Sequence, residues 1–191
     1  MEKKLPVAVI VLTKDEQIHI ERCISNAMCV SNEVYVVDSE STDNTRSIAE
    51  GMGAKAVVHP WPGNQSEQFN WALDNLPLKS EWVLRLDADE YLTDELIEEL
   101  YEKVPQLPAD VTGVEFPRGY IFLGKEIRRG TGRINQLRLF RRGKGRCEQR
   151  LMDEHIELTD GKTEHFSGAF FDDNLNNLSW WTQKHVGYAI R

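Results

Sequence analysis

Three carboxylates stand within four positions at Asp87-Ala88-Asp89-Glu90, directly after the run Glu81 to Leu86 (EWVLRL). Like charges crowded this closely raise one another's pKa and cost stability unless a cation or hydrogen-bond donors offset them. Hard divalent ions such as Mg2+ and Mn2+ take oxygen ligands and often use one or two carboxylates together with substrate phosphates. An Asp-x-Asp at a strand end can point both side chains to one side of the sheet edge. The same acids also suit the first turn of a following helix, so a metal site and a helix-capping loop both stay open here. A second polar cluster, Asp38-Ser39-Glu40-Ser41-Thr42-Asp43, follows the run Glu33 to Asp38. Its leading carboxylate can accept hydrogen bonds from a base N–H or ribose hydroxyls, and its residues are equally good turn and capping chemistry.

These clusters need elements that bring them together. Leu5 to Leu12 is nearly all apolar and β-branched, as in a strand buried on both faces. Ile20, Cys23, Ile24 and Ala27 recur at helical spacing. Glu33 to Asp38 and Ala54 to Val58 read as strands. Ser41, Thr42 and Asp43 are N-cap candidates for a helix through Met52. Phe69, Ala72, Leu73 and Leu76 mark a third helix, Glu81 to Leu86 a fourth strand, and Thr93 caps a helix carrying Ile97, Leu100, Tyr101 and Val104. Strands alternating with helices argue for βαβ units and a parallel sheet, whose ligands bind beyond the carboxyl ends of the strands. Thr13 to Glu16, Asp38 to Asp43 and Asp87 to Glu90 would then share one edge. From Val111 to Arg150 the pattern changes to short strands with glycine turns, where antiparallel pairing is expected. Leu175 to Ile190 is helical again, and its Trp180 and Trp181 are expected to fold that helix onto the core; stacking on a sugar ring or resting on lipid headgroups are the alternatives.

The 191 residues are 40% hydrophobic, enough for one substantial core and one domain. The shift near Pro105 to Pro108 divides that domain into two halves, residues 1–108 and 109–191. A net charge of −8 argues against general nucleic-acid binding. Lys125 to Arg150 reverses that sign and reads either as a phosphate-facing band or as a solvated ribbon. Three cysteines without a CxxC pair suggest a reducing compartment, with Cys23 buried. Leu5 to Leu12 is too short for a signal peptide or membrane span. The expected location is cytoplasmic, with peripheral contact on the inner membrane's cytoplasmic face open. The helical pattern still runs at Arg191, as in a chain truncated at its C-terminus.

Val9 to Glu16 (VIVLTKDE), Val36 to Asp43 (VVDSESTD) and Trp82 to Glu90 (WVLRLDADE), in that order and spacing, resemble family 2 glycosyltransferases of the GT-A fold. The likeness spans residues 5 to about 105 and is closest to bacterial enzymes that build lipopolysaccharide core or capsule glycans. Gln68-Phe69-Asn70, Leu123-Gly124 and Arg138 to Arg141 fit the same pattern. The resemblance implies an α/β, GT-A-like fold: a Rossmann-like, mostly parallel nucleotide-binding sheet with an antiparallel acceptor-side extension. It implies an inverting transferase taking a nucleotide-sugar donor, a UDP-sugar, to a glycan or lipid-linked acceptor. Thr13 and Glu16 would lie beside the nucleotide, with Gln68 and Asn70 on the donor side. Asp38 would bind the base, Asp87 the ribose or a metal-bound water, and Asp89 the Mg2+ or Mn2+ ion.

An inverting transfer needs a base for the acceptor hydroxyl and positive charge for the departing diphosphate. Glu154 fits the base by position, with Asp153 as the alternative. His155 is either part of a metal shell or an ordinary partly buried histidine, the latter being favoured. Arg138 or Arg141 could counter diphosphate charge or simply sit exposed on a strand. Two other classes compete. One is a nucleotidyltransferase, against which the glycine-free Thr13-Lys14-Asp15-Glu16 counts. The other is a sugar-nucleotide or metal-binding module without turnover.

Overall fold

The computed structural model describes residues 4–130, 133–150 and 154–189. The first half alternates as read from the sequence. Strand β1 (Val7–Thr13) is buried along its whole length. Helix α1 (Ile20–Val30) buries Ile20, Cys23, Ile24, Ala27 and Val30, the stripe its spacing predicts. Then come β2 (Glu33–Asp38), α2 (Thr45–Gly51), β3 (Lys55–Val58) and α3 (Gln65–Asn75). Strands β4 (Trp82–Asp87) and β5 (Glu90–Leu92) precede α4 (Asp94–Lys103), whose Thr93 side chain accepts from the Leu96 N–H as an N-cap. The second half holds β6 (Val111–Phe122), β7 (Lys125–Glu126), β8 (Ile134–Arg141) and β9 (Gly145–Cys147). It continues through β10 (Ile156–Leu158), β11 (Lys162–His165), β12 (Phe170–Asp173) and α5 (Leu178–Ala189).

One mixed sheet crosses both halves in the order β3-β2-β1-β4-β8-β6-β12-β5, with β7 and β11 also on β6. The β3-β2-β1-β4 half is parallel. Strand β8 is antiparallel to both β4 and β6, which begins the antiparallel extension. Apolar side chains cover both faces. Val9, Val11, Leu84 and Leu86 pack with Ile24 of α1, Ala49 of α2 and Leu96 of α4. Ile10, Leu12, Val37 and Val83 pack with Phe69 and Ala72 of α3. Each such side chain, fully buried, stabilises the sheet by about 1.5–3 kcal/mol.

Four features differ from the sequence reading. Helix α2 starts at Thr45, and Asn44 at its N-cap makes no side-chain cap bond. Ser41 and Thr42 are used elsewhere, as described below, while the Asp43 carboxylate accepts from the Thr45 N–H at 2.9 Å and so serves the helix start as its type suggests. Strand β6 is twelve residues long and runs parallel to β11 and β12, so the second half is not purely antiparallel. The periodicity gave no sign of β5, β11 or β12. Helix α5 does not bury its tryptophans: Trp181 is 37% exposed and meets Phe122 edge-on, with ring centroids 5.3 Å apart. Cys23 is fully buried as expected, and burial pushes its thiol well above the ordinary range. Among the described residues no helix is long and apolar enough to cross a membrane.

Candidate active site

Strand register sets the site. Thr13 pairs with Asp38 across β1 and β2, and Leu12 pairs with Asp87 across β1 and β4. Thr13 and Asp38 therefore stand level at the ends of β1 and β2, and Asp87 lies one residue short of them beside Leu12, so the carboxyl ends of the three parallel strands reach the same edge of the sheet. This is the edge where ligands bind in open α/β sheets.

On the β1–β2 side, two loops are laced by side-chain-to-backbone bonds. The Ser41 hydroxyl accepts from the Asp15 N–H at 2.8 Å, Thr45 from Glu16 at 2.8 Å, and Asp43 from Gln17 at 3.1 Å. Asp15 in return accepts from the Thr42 N–H at 2.7 Å. Asp15 and Glu40 both hold φ near +60° (54° and 60°), a left-handed conformation that costs a side-chain-bearing residue energy and gathers at functional sites. Asp38 is fully buried and accepts from the Ser41 N–H at 2.8 Å, the Thr13 hydroxyl at 3.1 Å and the Ser41 hydroxyl. The Glu16 carboxylate accepts from His19 Nδ1 at 2.6 Å. His19 Nε2 accepts from the Leu175 N–H at 2.9 Å, which fixes the proton on Nδ1 and ties this loop to the segment before α5.

Asp87 and Glu90 are held among arginines. Glu90 is fully buried, accepts from the Asp87 N–H at 2.9 Å and from Arg138 at 2.6 Å, and has Arg118 at 3.7 Å. Burial pushes its carboxyl up to about 8; Arg138 opposes that rise and Asp87 adds to it. Burial would raise Asp87 too, but Arg85, Arg138 and Arg118 outweigh it and hold that carboxyl below the ordinary range. Burial, then Asp89, raises Asp172, which pairs with Arg118. The Asp89 carboxylate accepts from the Asn174 amide at 3.0 Å, and its backbone carbonyl accepts from Arg22 at 3.1 Å and from the Asp173 N–H at 3.0 Å. The end of β12 thus closes over the Asp-x-Asp loop.

Glu154 lies close to this cluster. Its Oε1 is 2.7 Å from Arg85 Nη2, and the same nitrogen is 3.6 Å from Asp87 Oδ1. Asp153, the alternative base, lies outside the described residues. Arg138 is buried, with Glu90 as its near partner and Asp87 at 3.8 Å, so it is no exposed strand residue. Arg141 instead pairs with Glu81. Gln68 is buried and donates to the Ser39 hydroxyl at 3.0 Å and the His59 carbonyl at 3.1 Å, joining α3 to the ends of β2 and β3. Asn70 points to β9, where its amide clasps the Cys147 backbone at 2.8 and 2.9 Å. His155 is exposed beside Glu148, 3.8 Å away, rather than partly buried. Arg128 and Arg133 pair with Glu126, Lys144 with Asp160 and Arg146 with Asp74. Much of the basic band is therefore neutralised within the fold.

The sequence reading missed Arg85, Arg118 and Asn174. Arg85 left a signal, a lone charge inside an apolar strand. Arg118 and Asn174 left none, because only the sheet order brings β6 and β12 to the cluster. Among the described residues no group of three or more His, Cys, Asp or Glu side chains is arranged to hold a metal ion. Yet Asp87 Oδ1 is shielded from solvent with no hydrogen-bond partner. Around it Asp87, Asp89, Glu154, Asp172 and Asp173, together with a Glu90 that is largely protonated at neutral pH, stand with Arg22, Arg85, Arg118 and Arg138, five carboxylates beside the neutral one against four guanidiniums. An unfilled oxygen and an acidic excess fit a hard cation.

Comparison with known proteins agrees with this geometry. A Rickettsia bellii protein described as an uncharacterized glycosyltransferase is 43% identical over 94 residues, covering 49% of this chain and 31% of that protein. The chain thus matches about a third of the length of such a relative. A TPR repeat-containing protein of Synechococcus elongatus is 28% identical over 185 residues, 96% of this chain and 42% of that protein. The crystal structure of S. aureus TarS superposes with a TM-score of 0.52 at 22% identity, over 65% of this chain and 23% of that one, and shares the GT-A type of α/β fold. The model of the family described as "Glycosyl transferase family 2" matches residues 8–167. That span runs from β1 to the threshold of β12 and takes in the whole row of strand ends, so the chain belongs to glycosyl transferase family 2.

Proposed function

We propose that the chain transfers a sugar, with inversion, from a UDP-sugar to a hydroxyl of a glycan or lipid-linked acceptor in the synthesis of lipopolysaccharide or another cell-surface polysaccharide. The observation that carries this reading is the shared sheet edge where Thr13, Asp38 and Asp87 end their strands, with Glu154 joined to Asp87 through one guanidinium.

Thr13, Glu16, Asp38 and Gln68 form the donor side in this reading, and Asn70 supports it from behind by holding β9 against α3. Asp38 meets the base by exchanging a Ser41 or Thr13 hydroxyl for a base N–H. The laced loops hold that exchange in place, because a preorganised site loses less freedom on binding. Asp89 and Asp87 would hold Mg2+ or Mn2+, which bound there neutralises the departing diphosphate's charge. Arg138 adds a fixed positive charge behind Asp87. Glu154 accepts the proton of the acceptor hydroxyl, and Asp153 takes that role if Glu154 does not. Work on the cytoplasmic face of the inner membrane, with peripheral contact, belongs to the same reading.

The test is a thermal-shift screen of nucleotide sugars with and without Mn2+, followed by turnover assays. One UDP-sugar should stabilise the protein only with the metal, since a ligand at 100 times its Kd adds about 2.7 kcal/mol. Asp89→Ala should abolish that stabilisation, and unchanged turnover in this variant would refute the metal role. Glu154→Gln should keep the thermal shift and lose transfer. Saturable donor binding with no turnover toward any acceptor would leave a binding module instead.

A further inference from the structure

We propose that Arg85 is a positioning residue that fixes Glu154 beside Asp87, aligning the proton acceptor with the donor site. This rests on the reading of Glu154 as the base. Arg85 lies in β4. Side chains alternate along a strand, so Arg85 and Asp87 share one face, the one that Val83 occupies beneath α3. Leu84 and Leu86 fill the other face. A charge at this place is costly: Arg85 is 3% exposed, and its Nε has no hydrogen-bond partner. A hydrophobic residue of similar volume would satisfy the core at least as well.

What the guanidinium gains is convergence. Nη2 reaches Glu154 Oε1 at 2.7 Å, Gln65 Oε1 of α3 at 3.0 Å and Asp87 Oδ1 at 3.6 Å. Nη1 reaches Cys147 Sγ of β9 at 3.4 Å, and the plane lies over the Phe69 ring, 5.3 Å from its centroid. Three elements distant in sequence therefore set the orientation of one planar group. That group faces both the carboxylate of the donor row and the carboxylate of the base. Glu154 lies two residues before β10, the two-stranded ribbon's return strand, and among the described residues its side chain bonds Arg85. Its place relative to Asp87 is set by this arginine rather than by the sheet. A misplacement of about 1 Å at such a distance costs on the order of 100-fold in rate. Lysine keeps the charge but presents a single nitrogen, so it can hold Glu154 without also engaging Gln65 and Cys147.

The test compares Arg85→Met and Arg85→Lys with the full-length wild type in steady-state kinetics and donor thermal shift. Arg85→Met is expected to lower kcat about 100-fold while donor KM stays within about threefold and the donor-induced thermal shift persists. Arg85→Lys is expected to recover about tenfold of that loss. A merely structural arginine would behave differently: kcat, donor KM and donor-induced shift would worsen together with stability, and lysine would restore none of kcat. That pattern overturns the proposal, as does a folded Arg85→Met with kcat within about threefold of wild type. Should Arg85→Met not fold, Arg85→Lys and Arg85→Gln carry the same comparison of kcat with KM. The two levels fail separately. A wild type without transfer, or Glu154→Gln with full transfer, sinks the functional reading. An inactive Glu154→Gln beside an unimpaired Arg85→Met sinks only the role of Arg85.

Discussion

Glu99 of α4 anchors the segment that delivers β12 to the site, and its removal has a calculable cost. The carboxylate is 9% exposed and accepts from the backbone N–H groups of Ser167, at 2.9 Å, and Gly168, at 2.7 Å. Lys103 adds a bond at 2.6 Å, but its side chain is 46% exposed, so that pair contributes no more than about 0.5 kcal/mol. Each backbone bond to a charged acceptor contributes about 1.5–3 kcal/mol. The two bonds together make Glu99→Ala destabilising by about 3–6 kcal/mol. At roughly 2–4 °C per kcal/mol for a chain of this size, the midpoint of thermal unfolding falls by about 6–24 °C. Burial alone would raise the Glu99 carboxyl; the bonds from Lys103, Gly168 and Ser167 outweigh it and leave it below the ordinary range. A lowered folded-state pKa means stability that is complete above the unfolded value, about 4.3, and lost as pH falls through the folded one. The gap between wild type and Glu99→Ala, measured by urea unfolding, should stay constant from about pH 6 to 8 and shrink below about pH 4. A loss under about 1 kcal/mol at pH 7, or a gap that widens in acid, would refute the anchoring argument.

Other outcomes follow from single contacts. A Cβ on Gly168 would meet the Leu96 backbone at 2.4 Å, which cannot swing aside, so Gly168→Ala should cost about 3 kcal/mol by chemical denaturation. Gly51 of α2 has nothing within 4 Å of its Cβ position, and Gly51→Ala should raise stability by about 0.5–1 kcal/mol in the same assay. Asn70→Ala frees two buried groups of Cys147 and should cost about 2–4 kcal/mol. Asp38→Asn should leave the circular dichroism spectrum intact and raise donor KM about tenfold, because the replacement amide cannot accept from Ser41 and Thr13 at both atoms.

The sequence was legible where one local pattern decided the outcome. Strands β1, β2 and β4 are buried on both faces and read as continuous apolar runs. Helices α1 and α4 carry clear stripes, and Thr93 caps as its type suggests. The row of strand ends followed from topology. Reading failed where a distant partner outbid a local one. Ser41 and Thr42 are good cap residues, yet their side chains bind Asp15 and Asp38, and Asp43 divides its carboxylate between the helix start at Thr45 and the Gln17 N–H. Strands β5 and β12 are three and four residues long and exist because each pairs with the other, Phe171 opposite Tyr91. Nothing in either segment announces that partner. Arg85 was visible as a charge in a buried strand, but its partners Glu154, Gln65 and Cys147 come from elsewhere in the chain. The helical stripe of α5 was real, while its burial was an inference from aromatic size that the structure does not bear out.

The insertion of β8 between β4 and β6 has a consequence for biosynthesis. A ribosome releases β4 long before Phe140 and Leu139 emerge to pair with Val83 and Leu84, and β5 waits longer still for β12. During that interval the nascent chain carries an apolar strand with one side unzipped, the kind of edge that recruits other strands. Pausing or chaperone capture between those two moments should govern the yield of active protein more than the final stability does, and synonymous changes that slow translation through residues 88–134 should increase aggregation.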